Sequence, residues 1–220
     1  MKKVITILLA GILALGLAAC GGPSGPDDME HHTLPVTQDP NHVEESEPAP
    51  ATTAEDISAE ADTLVVYFSA TGTTKDIAEK IASVTGADLY EIKAAQEYSE
   101  EDLNWSDSNS RSTKEQNDPD VRPEIASEPV TLDGYKTVYI GFPIWWGEEP
   151  RIMDTFVESY NFDGITMIPF CTSSSSGIGN SGSNLESHAG SGTWLEGQRF
   201  LAGTSESLIE TWIAGLEYSN

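Results

Sequence analysis

The chain has 220 residues, enough for one domain plus extensions. It carries 36 Asp and Glu against 11 Lys and Arg, a net charge of -25. That balance excludes a nucleic-acid binder, because a phosphate backbone is held by clustered cations, and it points to a self-repelling monomer whose protein partners present basic surfaces.

The chain opens on "MKK", followed by the apolar run "VITILLAGILALGLAA" and Cys20. A basic start, an apolar core and small residues before the cysteine make residues 1–20 a secretory leader rather than a spanning helix. "LAAC", Leu17 to Cys20, resembles a bacterial lipobox, which implies diacylation of Cys20 and a mature N-terminus there. Two acyl chains meet the requirement for a stable anchor. Residues 21–60 carry ten acids, no Lys or Arg and no aromatic residue. Such a segment cannot bury enough apolar surface to fold, so it is expected to be a disordered acidic tether with a reach of about 35 Å. His31, His32 and His42 lie on it without fixed geometry, and no metal site is expected. Cys20 and Cys171 sit in unrelated contexts, so no disulfide framework is implied.

From residue 61 the pattern changes. "TLVVYFS" (63–69) reads as a buried strand, and "TKDIAEKIASVTG" (74–86) as a helix with Ile77, Ala78, Ile81, Ala82 and Val84 at helical spacing and a terminal glycine. "ADLYEIK" (87–93) alternates as a strand. Residues 94–130 are broken by Asp, Asn and Pro and predict a helix plus an irregular excursion. Then come a strand at 136–142, a helix at 150–160 with proline early, a strand at 165–173, a short fifth strand at 197–203 and a closing helix at 205–216. Strands alternating with helices imply a parallel sheet covered on both faces.

In such a sheet the C-terminal ends of the strands share one edge, where ligands bind. Three strand ends carry unusual loops. The first, "SATGTTK" (69–75), offers helix-start amides, the hydroxyls of Ser69, Thr71, Thr73 and Thr74, and the freedom of Gly72. Its spacing matches neither GxxxxGK[ST] nor GxGxxG, and both a phosphate cradle and an ordinary capped turn remain open. The second, "PIWWGEEP" (143–150), supplies two flat rings, one suited to the core and one to stacking on a ligand ring. The third, "CTSSSSGIGNS" (171–181), can wrap a ligand edge with amides and hydroxyls.

Together and in this order, "SATGTTK", "GFPIWWGEEP" and "PFCTSSSSGIG" resemble the flavodoxin family over residues 61–220. The resemblance implies a flavodoxin-like α/β fold: three αβα layers, a five-stranded parallel sheet of order 2-1-3-4-5, and one FMN. It implies that Ser69, Thr71, Gly72, Thr73 and Thr74 hold the ribityl phosphate. Pro143, Ile144, Trp145, Trp146 and Gly147 pass the flavin ring, with Trp146 the stacking residue. Thr172, Ser173, Ser174, Ser176 and Gly177 take its other side. Many flavodoxins place a Tyr in the third loop; here that loop has no aromatic residue, and Tyr98 and Trp105 are the rings available in the irregular region.

The expected function is electron transfer by an FMN protein lipid-anchored on the outer face of a bacterial cell membrane. It exchanges electrons with a basic redox partner protein or a small-molecule donor or acceptor. Residues 61–220 hold 26 acids and nine bases, a balance of -17. That field disfavours an anionic reduced flavin, and screening confines the effect to near acids such as Glu148 and Glu149. Two alternatives stand beside this reading. One is an FMN-dependent reductase passing electrons from NAD(P)H to quinones or other small acceptors. The other is an apo binding lipoprotein, since "KK" rather than twin arginine implies export of unfolded chain. No catalytic triad or paired carboxylate is visible. His188 reads as a surface residue and Cys171 as a small core residue.

Overall fold

Leu64, Val66 and Phe68 turn one way from the first strand, β1 (Thr63–Phe68), and Val65 and Tyr67 the other; all are buried, so both faces of the strand are covered. The computed structural model describes residues 61–216. The leader, Cys20, the tether and its histidines lie outside the described residues. Among the described residues no helix is long and apolar enough to cross a membrane.

The elements follow in the order β1, α1 (Thr73–Thr85), β2 (Asp88–Ile92), α2 (Arg111–Gln116), β3 (Thr137–Pro143), α3 (Arg151–Glu158), β4 (Thr166–Thr172), α4 (Ser181–Ala189), β5 (Thr193–Trp194), β6 (Gln198–Phe200) and α5 (Glu206–Ala214). The sheet is parallel throughout, in the order β2-β1-β3-β4-β5, with β6 also pairing to β4. This is the three-layer flavodoxin-like α/β fold with strand order 2-1-3-4-5. One face buries Ile77, Ala78 and Ile81 of α1 and Ile209 of α5 against Val65, Tyr139 and Phe170. The other buries Ile152, Met153 and Phe156 of α3 and Leu185 of α4 against Val66, Ile140 and Met167. Gly141 in β3 is required by its neighbour strand: a Cβ there would run into the Phe170 ring.

The fifth sheet position is split between β5 and β6, where the sequence predicts one strand at 197–203. Ile165, Met167 and Ser173 turn their backbone groups toward it, in the bonds Thr193 N–H to Ile165 O (2.9 Å), Leu195 N–H to Met167 O (2.9 Å) and Ser173 N–H to Phe200 O (3.2 Å). Pro169 shares their parity but has no N–H to give, and the fifth strand breaks opposite it. The segment between β2 and β3 is the expected excursion with one short helix, α2. Its neck is closed by Ala95 N–H to Glu124 O and Ala126 N–H to Lys93 O, both 2.8 Å.

The chain steps outward from β1 to β2, then returns to the other side of β1 with β3. The strand order therefore reverses between β1 and β3, which opens a crevice at their C-terminal ends.

Candidate functional site

The three loops meet at that crevice. At the first, Asp76 N–H is the earliest helix donor to reach a carbonyl, Gly72 O at 3.0 Å. The amides of Thr73, Thr74 and Lys75 ahead of it face out of the helix start, where the dipole favours an anion. Gly72 sits at φ 86 and donates its N–H to Ser69 Oγ at 3.1 Å, leaving the Ser69 hydroxyl proton free to point outward. Thr74 is buried instead: its Oγ1 lies 2.8 Å from Thr172 Oγ1, a bond that ties the first loop to the end of β4. With its hydroxyl spent on Thr172, Thr74 has only its backbone amide to offer at the crevice, while Ser69, Thr71 and Thr73 are half-buried or exposed and carry hydroxyls there. Lys75 leans toward Glu79, at 3.9 Å.

The second loop is a two-residue turn. Trp145 N–H bonds Glu148 O at 2.9 Å and Glu148 N–H bonds Trp145 O at 3.1 Å. The two central residues, Trp146 and Gly147, have φ 54 and φ 88, and Trp146 is the one non-glycine residue at positive φ among those described. Both positive values make this a primed turn, whose ordinary first residue is Asn or Asp. A Trp there is strained, and 55% of it is exposed. Trp145 goes the other way, edge-on to Phe68 (5.6 Å) and Tyr98 (4.9 Å) against the core. The base of the turn is clamped from α2 by Gln116 Nε2, which donates to Trp145 O (3.1 Å) and Glu149 O (3.2 Å).

The third loop is shaped by Ser173. Its Oγ accepts from Ser176 N–H (2.9 Å) and Ser175 N–H (3.3 Å), while Arg199 Nη1 donates to its carbonyl at 3.0 Å. Ile144 N–H to Thr172 O (3.0 Å) joins this loop to the second. A cleft of about 710 Å³ lies where they meet, lined by Thr71, Ile144, Trp145, Trp146, Gly147 and Ser173 to Ser176. Trp105 and Leu103 of the excursion line it too. Sequence reasoning named Trp105 and Tyr98 on equal terms. Tyr98 is committed elsewhere: its hydroxyl donates to Glu115 Oε2 at 2.7 Å, and Arg111 lies 3.9 Å over its ring. Gly177 follows the serines on the exposed side of the same loop, and Pro143 ends β3.

Beneath the turn sits a buried charged cluster that the sequence did not reveal. Glu148 is half-exposed and paired with Arg151 (3.3 Å), whereas Glu149 and Asp154 are wholly buried, so the two adjacent glutamates do not form one acidic rim. Asp154 has Arg151 at 3.6 Å and Arg122 at 4.0 Å, but no hydrogen bond to either oxygen. Asn184 Nδ2 of α4 donates to Glu149 Oε2 at 3.4 Å. Burial pushes the Glu149 carboxyl above its ordinary 4.5. The native state therefore holds that proton more tightly than the unfolded chain, and stability falls as pH rises from 4.5 through the raised value. Glu149→Gln is expected to gain stability over the parent at pH 8, with the gain shrinking toward pH 4. Urea unfolding at both pH values checks this; an equal difference at both would refute it.

Cys171 is buried, and burial pushes its thiol up to about 12, so it holds no thiolate at neutral pH. His188 Nδ1 lies 3.0 Å from Glu158 at the surface. No cluster of His, Cys, Asp and Glu among the described residues can hold a metal ion.

Comparisons with known proteins agree with the fold. The family model described as Flavodoxin matches residues 62–216. A solved structure from Bacteroides uniformis is 43% identical, with TM-score 0.67, covering 70% of this chain and 99% of that one. A second, from Bacteroides eggerthii, is 45% identical with TM-score 0.65, covering 69% and 95%. A flavoprotein in complex with FMN from Lactobacillus acidophilus is 25% identical with TM-score 0.50, covering 69% and 97%. No curated protein matches the chain.

Proposed function

Since the chain belongs to the flavodoxin family over residues 62–216, we propose that it binds one FMN at the crevice between β1 and β3. In this reading it carries electrons while tethered through Cys20 to the outer face of a bacterial membrane. The observation that carries the proposal is a meeting of parts. Thr71, two residues ahead of the anion-ready start of α1, lines one cleft of about 710 Å³ together with an exposed and strained Trp146 and a serine loop. That volume lies within the range of cofactor clefts.

The residues fit the group. A phosphate needs donors, and the amides of Thr73, Thr74 and Lys75 with the hydroxyls of Ser69, Thr71 and Thr73 supply them without a buried cation. A flat ring needs a flat apolar surface, and Trp146 holds one out to solvent. Gly147 and the loop 173–177 offer amides and hydroxyls for polar ring edges. When bound, the flavin supplies the one- and two-electron chemistry. The chain's own work is to hold the phosphate by backbone, shield the ring from water and fix its orientation. The domain's balance of -17 favours a donor or acceptor protein with a basic face.

The leader and the "LAAC" ending at Cys20 support the lipid anchor, and the acidic segment 21–60 supports a tether. A reductase reading is favoured by one feature: the third loop carries no ring that would bar a small acceptor or nicotinamide on its own side of the cleft. Titrating the full chain with FMN, by flavin fluorescence and visible absorption, tests the core of the proposal. Saturable one-to-one binding with quenched fluorescence is expected. No binding at micromolar FMN would leave the first loop a helix cap and the protein an apo binding module. Steady-state NAD(P)H oxidation by the loaded protein separates reductase from carrier.

A further inference from the structure

Two of the largest exposed apolar side chains described, Trp105 (76% exposed) and Trp146 (55%), open onto the same cleft. They come from different elements. Trp146 is at the tip of the turn after β3, and Trp105 is on the excursion between β2 and β3. Each indole keeps most of its surface out of the fold, where it is available to a flat partner.

The segment that carries Trp105 is built, not loose. Asn104 Oδ1 closes a turn over Trp105 by accepting from Ser106 N–H (3.0 Å) and Ser106 Oγ (2.7 Å). Asp102 Oδ2 accepts from Ser99 N–H (3.0 Å), and Asp102 O accepts from Ser112 N–H (3.0 Å). The excursion is also fixed to the second loop, through Gln116 on Trp145 O and Glu149 O and through the Tyr98 ring on Trp145. Trp105 and Trp146 thus stand on one hydrogen-bonded frame facing one cleft. The loop after β4, where a ring could have stood, has serines, glycines, Ile178 and Asn180 but no aromatic residue.

Resting on the FMN reading above, we propose that Trp105 is the second aromatic face for the flavin ring. The excursion between β2 and β3 supplies the cover that the serine loop lacks. A frame assembled before binding costs little ordering when the ring arrives.

The test is FMN titration of the full chain carrying Trp105→Ala or Trp105→Phe, beside the parent protein. Trp105→Ala is expected to weaken FMN about tenfold to a hundredfold, the range for losing one ring from a stacked aromatic base. The fluorescence of the bound flavin should rise, while the melting temperature of the apo protein stays unchanged. Trp105→Phe should recover most of the affinity, which a merely structural loss would not allow. Affinity for Trp105→Ala within twofold of the parent, with the same visible circular dichroism of the flavin, would overturn the inference alone. A flat titration for the parent as well would overturn the FMN reading and this inference with it.

Discussion

Thr73→Asp is expected to abolish FMN binding at neutral pH while leaving riboflavin binding intact. Thr73 is the first residue of α1 and its amide is among those facing out of the helix start. A carboxylate there complements the helix dipole, worth about 0.3–1 kcal/mol, so the fold should hold or tighten. A phosphate monoester arrives with roughly 1.5 to 2 negative charges. Unit charges about 5 Å apart repel by roughly 3 kcal/mol at an effective dielectric near 20, so the combined loss exceeds a hundredfold. Riboflavin has the ring and ribityl chain without the phosphate and meets no such repulsion. Thr73→Val removes only a hydroxyl and should cost a few-fold. Paired titrations with the two flavins check the prediction. Equal loss of both would mean that the new carboxylate damages the crevice rather than repelling the phosphate. Unchanged FMN affinity would mean that the helix start is no cradle.

The features behind that prediction were legible because they are local. A strand of β-branched residues, a hydroxyl-rich turn with one glycine and an amphipathic helix each announce themselves within about a dozen residues, and their alternation dictates a parallel sheet. What stayed hidden depends on contacts distant in sequence. α4 has only Leu185 and Ser181 buried, and "SGSN" at its start reads as loop, so no periodicity betrays it. The break in the fifth strand is caused by Pro169 on the neighbouring one. The division of labour between Trp145 and Trp146 follows from a turn whose sequence signature, normally Asn-Gly, is masked by Trp. Tyr98 and Trp105 look alike in sequence; Arg111, Glu115 and Trp145 claim the first and leave the second. Nothing local in sequence marks Glu149 and Asp154 as buried, because it is the packing of α3 on α4 that closes over them.

Trp146→Asn should separate folding from binding at the opposite end of the cleft's chemistry. In the parent, a left-handed backbone holds a bulky ring at φ 54, which costs about 1–2 kcal/mol. Asn adopts that conformation readily and forms the favoured pair with Gly147. Against the relief stands the loss of the indole's half-buried contacts, of similar size at about 25 cal/mol per Å² of apolar area. The two terms oppose, so urea unfolding of the apo protein should shift by less than about 1 kcal/mol. FMN affinity has no such compensation and should fall about tenfold to a hundredfold through lost stacking. Strain that folding does not need, at a residue held out to solvent, is what a preorganised ligand surface requires. Combining Trp146→Asn with Trp105→Ala sharpens the point. If both rings pack on one flavin, the double variant departs from the sum of the singles, because each ring holds the ligand in place for the other. Strict additivity would place the two tryptophans on separate ligands or on none.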